Sequence, residues 1–198
     1  MARQYEMTGR AAAMQRTRES ILDAAVDLFA PAWFDEVTLA DVARAAGVSQ
    51  QTVVNHFGSK IGLYLAGVSE RFAPALAELR SHAVPGDVAS IVETAVADYE
   101  TSGDATFRLV ALAGRVPELD QVVEGGRRAH RAWIERVFAP QLKGLGGRRR
   151  ERTIVLLAAS LDVLMWKSLR RDQGLGPNQT GDHLRVLVEG ALASLAAR

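Results

Sequence analysis

Hydrophobic positions recur at helical spacing along almost the whole chain. Ile21, Leu22, Ala25, Leu28 and Phe29 stand at i, i+1, i+4, i+7 and i+8, one wide apolar stripe on a helix. Thr17 is placed to cap that helix, and Pro31 ends it by removing a backbone donor. Trp33, Phe34 and Val37 follow as plugs for the base of a small bundle. The stretch Leu39 to Phe57 then predicts two short helices joined by one turn. Val42, Ala43 and Ala46 give the first an apolar face, and Val48, Val53 and Phe57 continue that core past the turn. Gly47 falls where the chain must reverse, a position that favours positive φ. Thr38 with Asp41 predicts a capping box, and Ser49 predicts the N-cap of the second helix.

Ser59 caps a fourth helix predicted to run to Ser81. From about residue 85 the pattern changes to longer apolar-rich helices, expected near 88–101, 105–115, 118–139, 148–172 and 180–197. Their boundaries are read from Pro85-Gly86-Asp87, Ser102-Gly103-Asp104, Pro117, Pro140, Gly144 to Gly147 and Gly174 to Pro177. No strand alternation occurs, so the expected fold is all-α. The run Ile154 to Trp166 is apolar nearly all round, interrupted by Ser160 and Asp162, which predicts burial on both sides. An ionised Asp162 inside it would need a partner. The final helix carries Leu184, Leu187, Val188, Ala191, Leu192 and Leu195, with Gly190 as a point of close packing.

Two short helices around a glycine turn form a helix-turn-helix. Its second helix displays Gln50, Gln51, Thr52 and Asn55, short polar groups able to reach base edges in a DNA major groove. Charge qualifies how such a helix would bind. Residues 1–60 carry six basic side chains (Arg3, Arg10, Arg16, Arg18, Arg44, Lys60) against seven acidic ones (Glu6, Glu19, Asp23, Asp27, Asp35, Glu36, Asp41). Binding would therefore use placed groups and helix N-termini instead of a bulk positive field.

The 198 residues are enough for one or two domains, and 48% hydrophobic beside 24% charged residues indicates a globular chain. No apolar run reaches membrane-spanning length, and the first 20 residues lack the apolar centre of a signal peptide. Zero cysteines exclude disulfides and thiolate metal sites and fit a cytoplasmic location. His82, His130 and His183 are scattered, with no metal-ligand spacing to carboxylates. Gly144-Leu145-Gly146-Gly147 follows no strand and precedes no Gly-Lys-Ser/Thr, so it reads as a helix connector. No catalytic residue, metal or cofactor is expected, and an enzyme is not.

The order of parts resembles the tetracycline-repressor (TetR) family of bacterial regulators. The resemblance is carried by Ile21-Leu22-Asp23-Ala24-Ala25, Leu28-Phe29, Phe34-Asp35, Thr38 to Ala43, Ala46-Gly47-Val48-Ser49, Thr52 and His56-Phe57-Gly58-Ser59-Lys60. Trp166-Lys167-Ser168-Leu169-Arg170-Arg171-Asp172 adds to it near the C-terminus. Two positions depart from the family: Val54 stands where a tyrosine is usual, and Trp33 where a glycine is.

The resemblance implies a flexible arm over 1–14, a DNA-binding domain over 15–75 with its helix-turn-helix at 38–57, and an effector-binding and dimerisation domain over 76–198. It implies base contacts from Gln50, Gln51 and Asn55, and phosphate or positioning contacts from Thr38, Ser49, Thr52, His56 and Lys60. The implied partners are palindromic double-stranded operator DNA, a small-molecule effector and a second copy of the chain. That second copy would pair through the last two helices. The implied activity is transcriptional regulation, as a repressor released by its effector. Phe107, Trp133, Asp162, Met165 and Trp166 are the candidate effector-pocket residues. A helical small-molecule carrier or enzyme without DNA binding is the alternative.

Overall fold

Helix-forming segments and their caps account for nearly all of the backbone in a computed structural model that describes residues 2–194. Met1 and residues 195–198, Leu195 among them, lie outside the described residues. The described residues contain helices and no strand, so the all-α expectation holds. The chain divides into two compact units, Met1–Ala75 and Leu76–Arg198.

In the first unit α1 (Ala2–Phe29), α2 (Leu39–Ala45), α3 (Gln50–Phe57) and α4 (Lys60–Gly67) surround one core. Ile21, Leu22 and Ala25 meet Val37, Val42, Ala43, Val53 and Leu63 there. The helical backbone begins at Ala2, so the stretch expected as an arm continues the first core helix. No proline interrupts it, and Ala11-Ala12-Ala13 favours helix. Thr17 is consequently inside the helix and not its cap, its hydroxyl donating back to the Ala13 carbonyl at 3.1 Å. Trp33 is no plug, being 39% exposed, and its backbone N–H donates to Glu36. Phe34 does turn inward, stacked with Phe29 and edge-on to Tyr64.

The expected fourth helix is helical from Lys60 to Ser81, but a π turn at Val68–Phe72 separates α4 from α5 (Ala73–Ser81). Two residues of that turn hold α1: Glu70 pairs with Arg18 at 2.6 Å, and Arg71 pairs with Glu19 and Asp23.

The second unit contains α6 (Val88–Leu112), α7 (Pro117–Val137), α8 (Ala139–Leu142), α9 (Gly147–Ser160), α10 (Val163–Lys167) and α11 (Pro177–Ala193). A π turn, Ser168–Asp172, follows α10. Its main core joins Ile91, Ala95, Ile134, Phe138, Ile154 and Leu157 with Leu184 and Val188 of α11.

Two sequence expectations change here. The break read at Ser102-Gly103-Asp104 is absent, and α6 runs straight through it. Gly103 is there for space: a Cβ on it would lie 2.4 Å from the Trp166 ring. The expected helix 148–172 is broken at Leu161–Asp162. Asp162 is the extended N-cap of α10, with its carboxylate accepting the Leu164 N–H at 2.9 Å. Within one copy of the chain the run leaves Val155, Leu156 and Leu164 exposed. Gly190 is exposed in one copy as well, with nothing among the described residues within 4 Å of a Cβ placed there.

Candidate nucleic-acid interface and ligand site

Local hydrogen bonding builds the helix-turn-helix. Thr38 accepts the Asp41 N–H at 3.1 Å while its own N–H donates to Asp41 Oδ2 at 3.0 Å, the reciprocal capping box. The Thr38 hydroxyl and backbone together hold the Asp41 carboxyl below its usual range. After α2, Gly47 takes φ +68°. The Val48 N–H reaches back to Ala43 O at 2.9 Å and the Gly47 N–H to Arg44 O at 3.3 Å, a Schellman closure. Ser49 then caps α3 by accepting the Thr52 N–H at 3.1 Å.

These constraints fix which face α3 presents. Val53 is fully buried, which turns Gln50, Gln51 and Asn55 to solvent. Gln51 Nε2 donates to Asn55 Oδ1 at 2.9 Å, one turn further along the helix. Ser49 and Thr52 pair hydroxyl to hydroxyl at 2.8 Å at the helix start. Gly58, at φ +75°, ends α3, and Ser59 caps α4 through the Gly62 N–H. Gly62 was not singled out in the sequence, yet a Cβ there would lie 2.3 Å from the Phe57 carbonyl oxygen.

The other expected DNA contacts are placed less uniformly. Thr38 is exposed, and His56 is half-buried beside the Phe57 ring. Lys60 folds over Phe34, its ammonium 4.4 Å from the ring centroid. Partial burial pushes its pKa down against the opposing pull of Asp35. Arg44, outside the expected set, is exposed on the last turn of α2 and paired with Asp41 at 3.1 Å.

The five expected pocket residues do not share one cluster. Phe107 and Trp166 pack with Tyr99 and Val163, and Lys167 lies 4.8 Å over the Phe107 ring. Trp133 and Met165 belong to the main core, and Asp162 is the α10 cap. Trp166 donates its indole N–H to Glu100 at 3.0 Å, and Glu100 also holds Arg170. An open cleft of about 410 Å³ between Ala113-Gly114 and the Asp120–Arg127 stretch is lined by none of the five.

Sequence reasoning missed a buried polar group in this unit. Arg80 pairs with the almost fully buried Asp98 at 2.8 Å, and Tyr99 donates to Leu161 O at 2.9 Å. Trp133 donates to Arg80 O at 3.1 Å, and His130 Nε2 lies 3.0 Å from Ala158 O. Burial pushes the Tyr99 phenol far above its usual range and the His130 imidazole below its own. No motif signals these residues, because they come from separate helices.

Comparison with known proteins agrees with this geometry. Residues 21–66 match the profile of the bacterial regulatory proteins of the tetR family. Over 46 residues the chain is 54% identical to the HTH-type transcriptional regulator AlkX of Mycobacterium tuberculosis, covering 23% of this chain and 22% of that protein. The matches span less than half the length of the curated relatives. A tetR-family regulator from Streptomyces coelicolor superposes with TM-score 0.71 at 21% identity, over 92% of this chain and 82% of that one. NalD, the secondary repressor of the MexAB-OprM multidrug efflux pump in Pseudomonas aeruginosa, superposes with TM-score 0.61 at 20% identity. That match covers 90% of this chain and 97% of NalD. Both structures have the same fold as this chain.

Proposed function

We infer that this chain, a member of the tetR family of bacterial regulatory proteins through residues 21–66, is a sequence-specific DNA-binding transcriptional regulator. The observation that carries this reading is α3 itself. It is capped by Ser49, anchored by Val53, and presents Gln50, Gln51 and Asn55 on its exposed face. Side-chain amides can pair with adenine N6 and N7 in the major groove, at about 1–3 kcal/mol of discrimination per good pair. Thr38, Ser49 and Thr52 lie in the first turns of α2 and α3, where N–H groups favour phosphate. His56 and Lys60 complete the proposed positioning set. Lys60 must leave Phe34 to reach a phosphate.

The region 15–75 is the proposed DNA reader and 76–198 the effector-binding and dimerising part. A second copy on α9 and α11 is supported by their exposed apolar residues. Val155 and Val186 are 51% and 68% exposed, with Leu156 and Leu187 beside them. Gly190 supports the same face, because a mid-helix glycine costs about 1 kcal/mol and nothing among the described residues explains it. Two copies would present recognition helices one DNA turn apart, about 34–36 Å, to a palindromic operator.

Repression relieved by a small molecule is the proposed direction, supported by NalD being a repressor of the same fold. The effector must favour a dimer state that misfits the operator. The rival reading, a helical carrier or enzyme, has no need of the exposed amides on a doubly capped helix. No helix among the described residues is long and apolar enough to cross a membrane.

Selection of bound fragments from randomised duplex DNA tests the reading. Enrichment of a palindrome by the wild type, lost in Gln51→Ala/Asn55→Ala, is the expected result. Absence of enrichment at low salt by folded protein would overturn it.

A further inference from the structure

Four parts of the second unit bring polar groups together in otherwise apolar surroundings. Arg80 comes from α5, Asp98 and Tyr99 from α6, His130 and Trp133 from α7, and Asp162 from the cap of α10. Almost every group in this cluster is answered within it. Asp98 accepts from Arg80 Nε at 2.9 Å and from the Ser102 hydroxyl at 2.7 Å. The Tyr99 hydroxyl, the Trp133 indole and the Asp162 carboxylate each have a backbone partner.

His130 Nδ1 is the exception. It is buried and has no hydrogen-bond partner among the described residues. Its chemical form follows from the other ring nitrogen. Nε2 lies 3.0 Å from the Ala158 carbonyl, which can only accept, so Nε2 carries the proton. Burial, with Arg80 adding to it, disfavours a second proton. Nδ1 is therefore a buried lone pair, a group that native interiors seldom leave unsatisfied.

The ion pair beside it points the same way. A buried ion pair is weak evidence of stabilisation, because desolvation offsets much of the attraction. It does leave the neighbourhood nearly balanced in charge. A cationic ligand would meet Arg80. An anion would meet a guanidinium already held by Asp98, with Asp162 also near. The His130 and Trp133 rings lie against each other, centroids 6.1 Å apart at 29°, and the Arg80 guanidinium lies 5.1 Å over the Trp133 ring.

We propose that His130 Nδ1 is the hydrogen-bond acceptor for an uncharged ligand that presents an O–H or N–H donor at the edge of the His130 ring. This rests on the reading that the second unit receives the effector, and it names the effector's chemistry: neutral and donor-bearing. His130 is the residue that selects a donor over its ether or ester counterpart.

The test uses the full-length protein labelled with 15N, with phenol and anisole as probes of like shape, one with a donor and one without. The His130 Nδ1 resonance is assigned by its absence in His130→Gln, whose amide N–H can still reach Ala158 O. Phenol is expected to move that resonance upfield in a saturable way, while anisole leaves it in place. His130→Gln is expected to weaken phenol binding at least about fivefold, as for an unsatisfied buried partner, with its thermal transition retained. A resonance unmoved by saturating phenol overturns the proposal, and so does an equal shift with anisole. A water held permanently at Nδ1 would give the first of these results. No DNA is present, so failure here is separate from failure of the operator selection.

Discussion

Gln51 Nε2 donates to Asn55 Oδ1 at 2.9 Å across one turn of α3, on the face opposite the buried Val53. The bond leaves Gln51 Oε1 free to accept and Asn55 Nδ2 free to donate. Those two atoms have the polarity needed for adenine N6 and N7. Coupling between the residues is therefore expected on DNA. Gln51→Ala and Asn55→Ala should each weaken binding to the selected operator by about 1–3 kcal/mol. The double variant should lose less than the sum of the two. Titration of labelled operator with all four proteins checks this, and strict additivity would mean the two amides read independently.

Gly103 and Trp166 supply a stability prediction. A Cβ at Gly103 would lie 2.4 Å from Cζ3 and 2.6 Å from Cη2 of a ring that is fully buried. Gly103→Ala gains helix propensity but must displace that ring, and overpacking of this kind costs about 1–3 kcal/mol. Urea unfolding should show a net loss. A stabilised variant would mean that the indole has room to move.

The apolar face of α9 and α11 predicts the assembly state. Leu156→Glu and Leu187→Glu place charges on residues that one copy of the chain leaves exposed. A surface substitution changes stability by only about 0.5 kcal/mol, so the monomer should fold normally. Sedimentation should show a dimer for the wild type and a monomer for the double variant. A dimer retained in that variant would place the contact elsewhere.

His130 makes stability depend on pH. Its folded-state pKa lies below the ordinary value of 6.5, through burial first and Arg80 next, with the Ala158 hydrogen bond, Asp162 and Asp98 opposing. The unfolded chain takes up the proton as pH falls through that ordinary value, while the folded chain refuses it. The contribution is full above it and declines below it until the folded group also titrates. Denaturant unfolding should thus show a smaller loss between about pH 7.5 and pH 5.5 for His130→Gln than for the wild type. Equal losses would assign that dependence to other groups.

The sequence alone determined the features that depend on neighbours in the chain. The turn at Gly47, the Thr38–Asp41 box, the caps Ser49 and Ser59 and the inward stripe of α1 all follow from bonds spanning a few residues or from helical periodicity. The exposed set on α3 follows from them, because one buried Val53 fixes the rotation of a capped helix. Tertiary structure decided where distant segments meet. Gly103 reads as a helix breaker until Trp166, 63 positions later, is seen to need its space. Asp162 reads as a buried charge until its carboxylate is found capping α10. Lys60 reads as a phosphate contact, and the fold adds Phe34 beneath its ammonium. His130 reads as incidental until its Nδ1 is found enclosed with no hydrogen-bond partner among the described residues. Periodicity and capping are energies of single helices, whereas steric space and desolvation are set by which helices pack together.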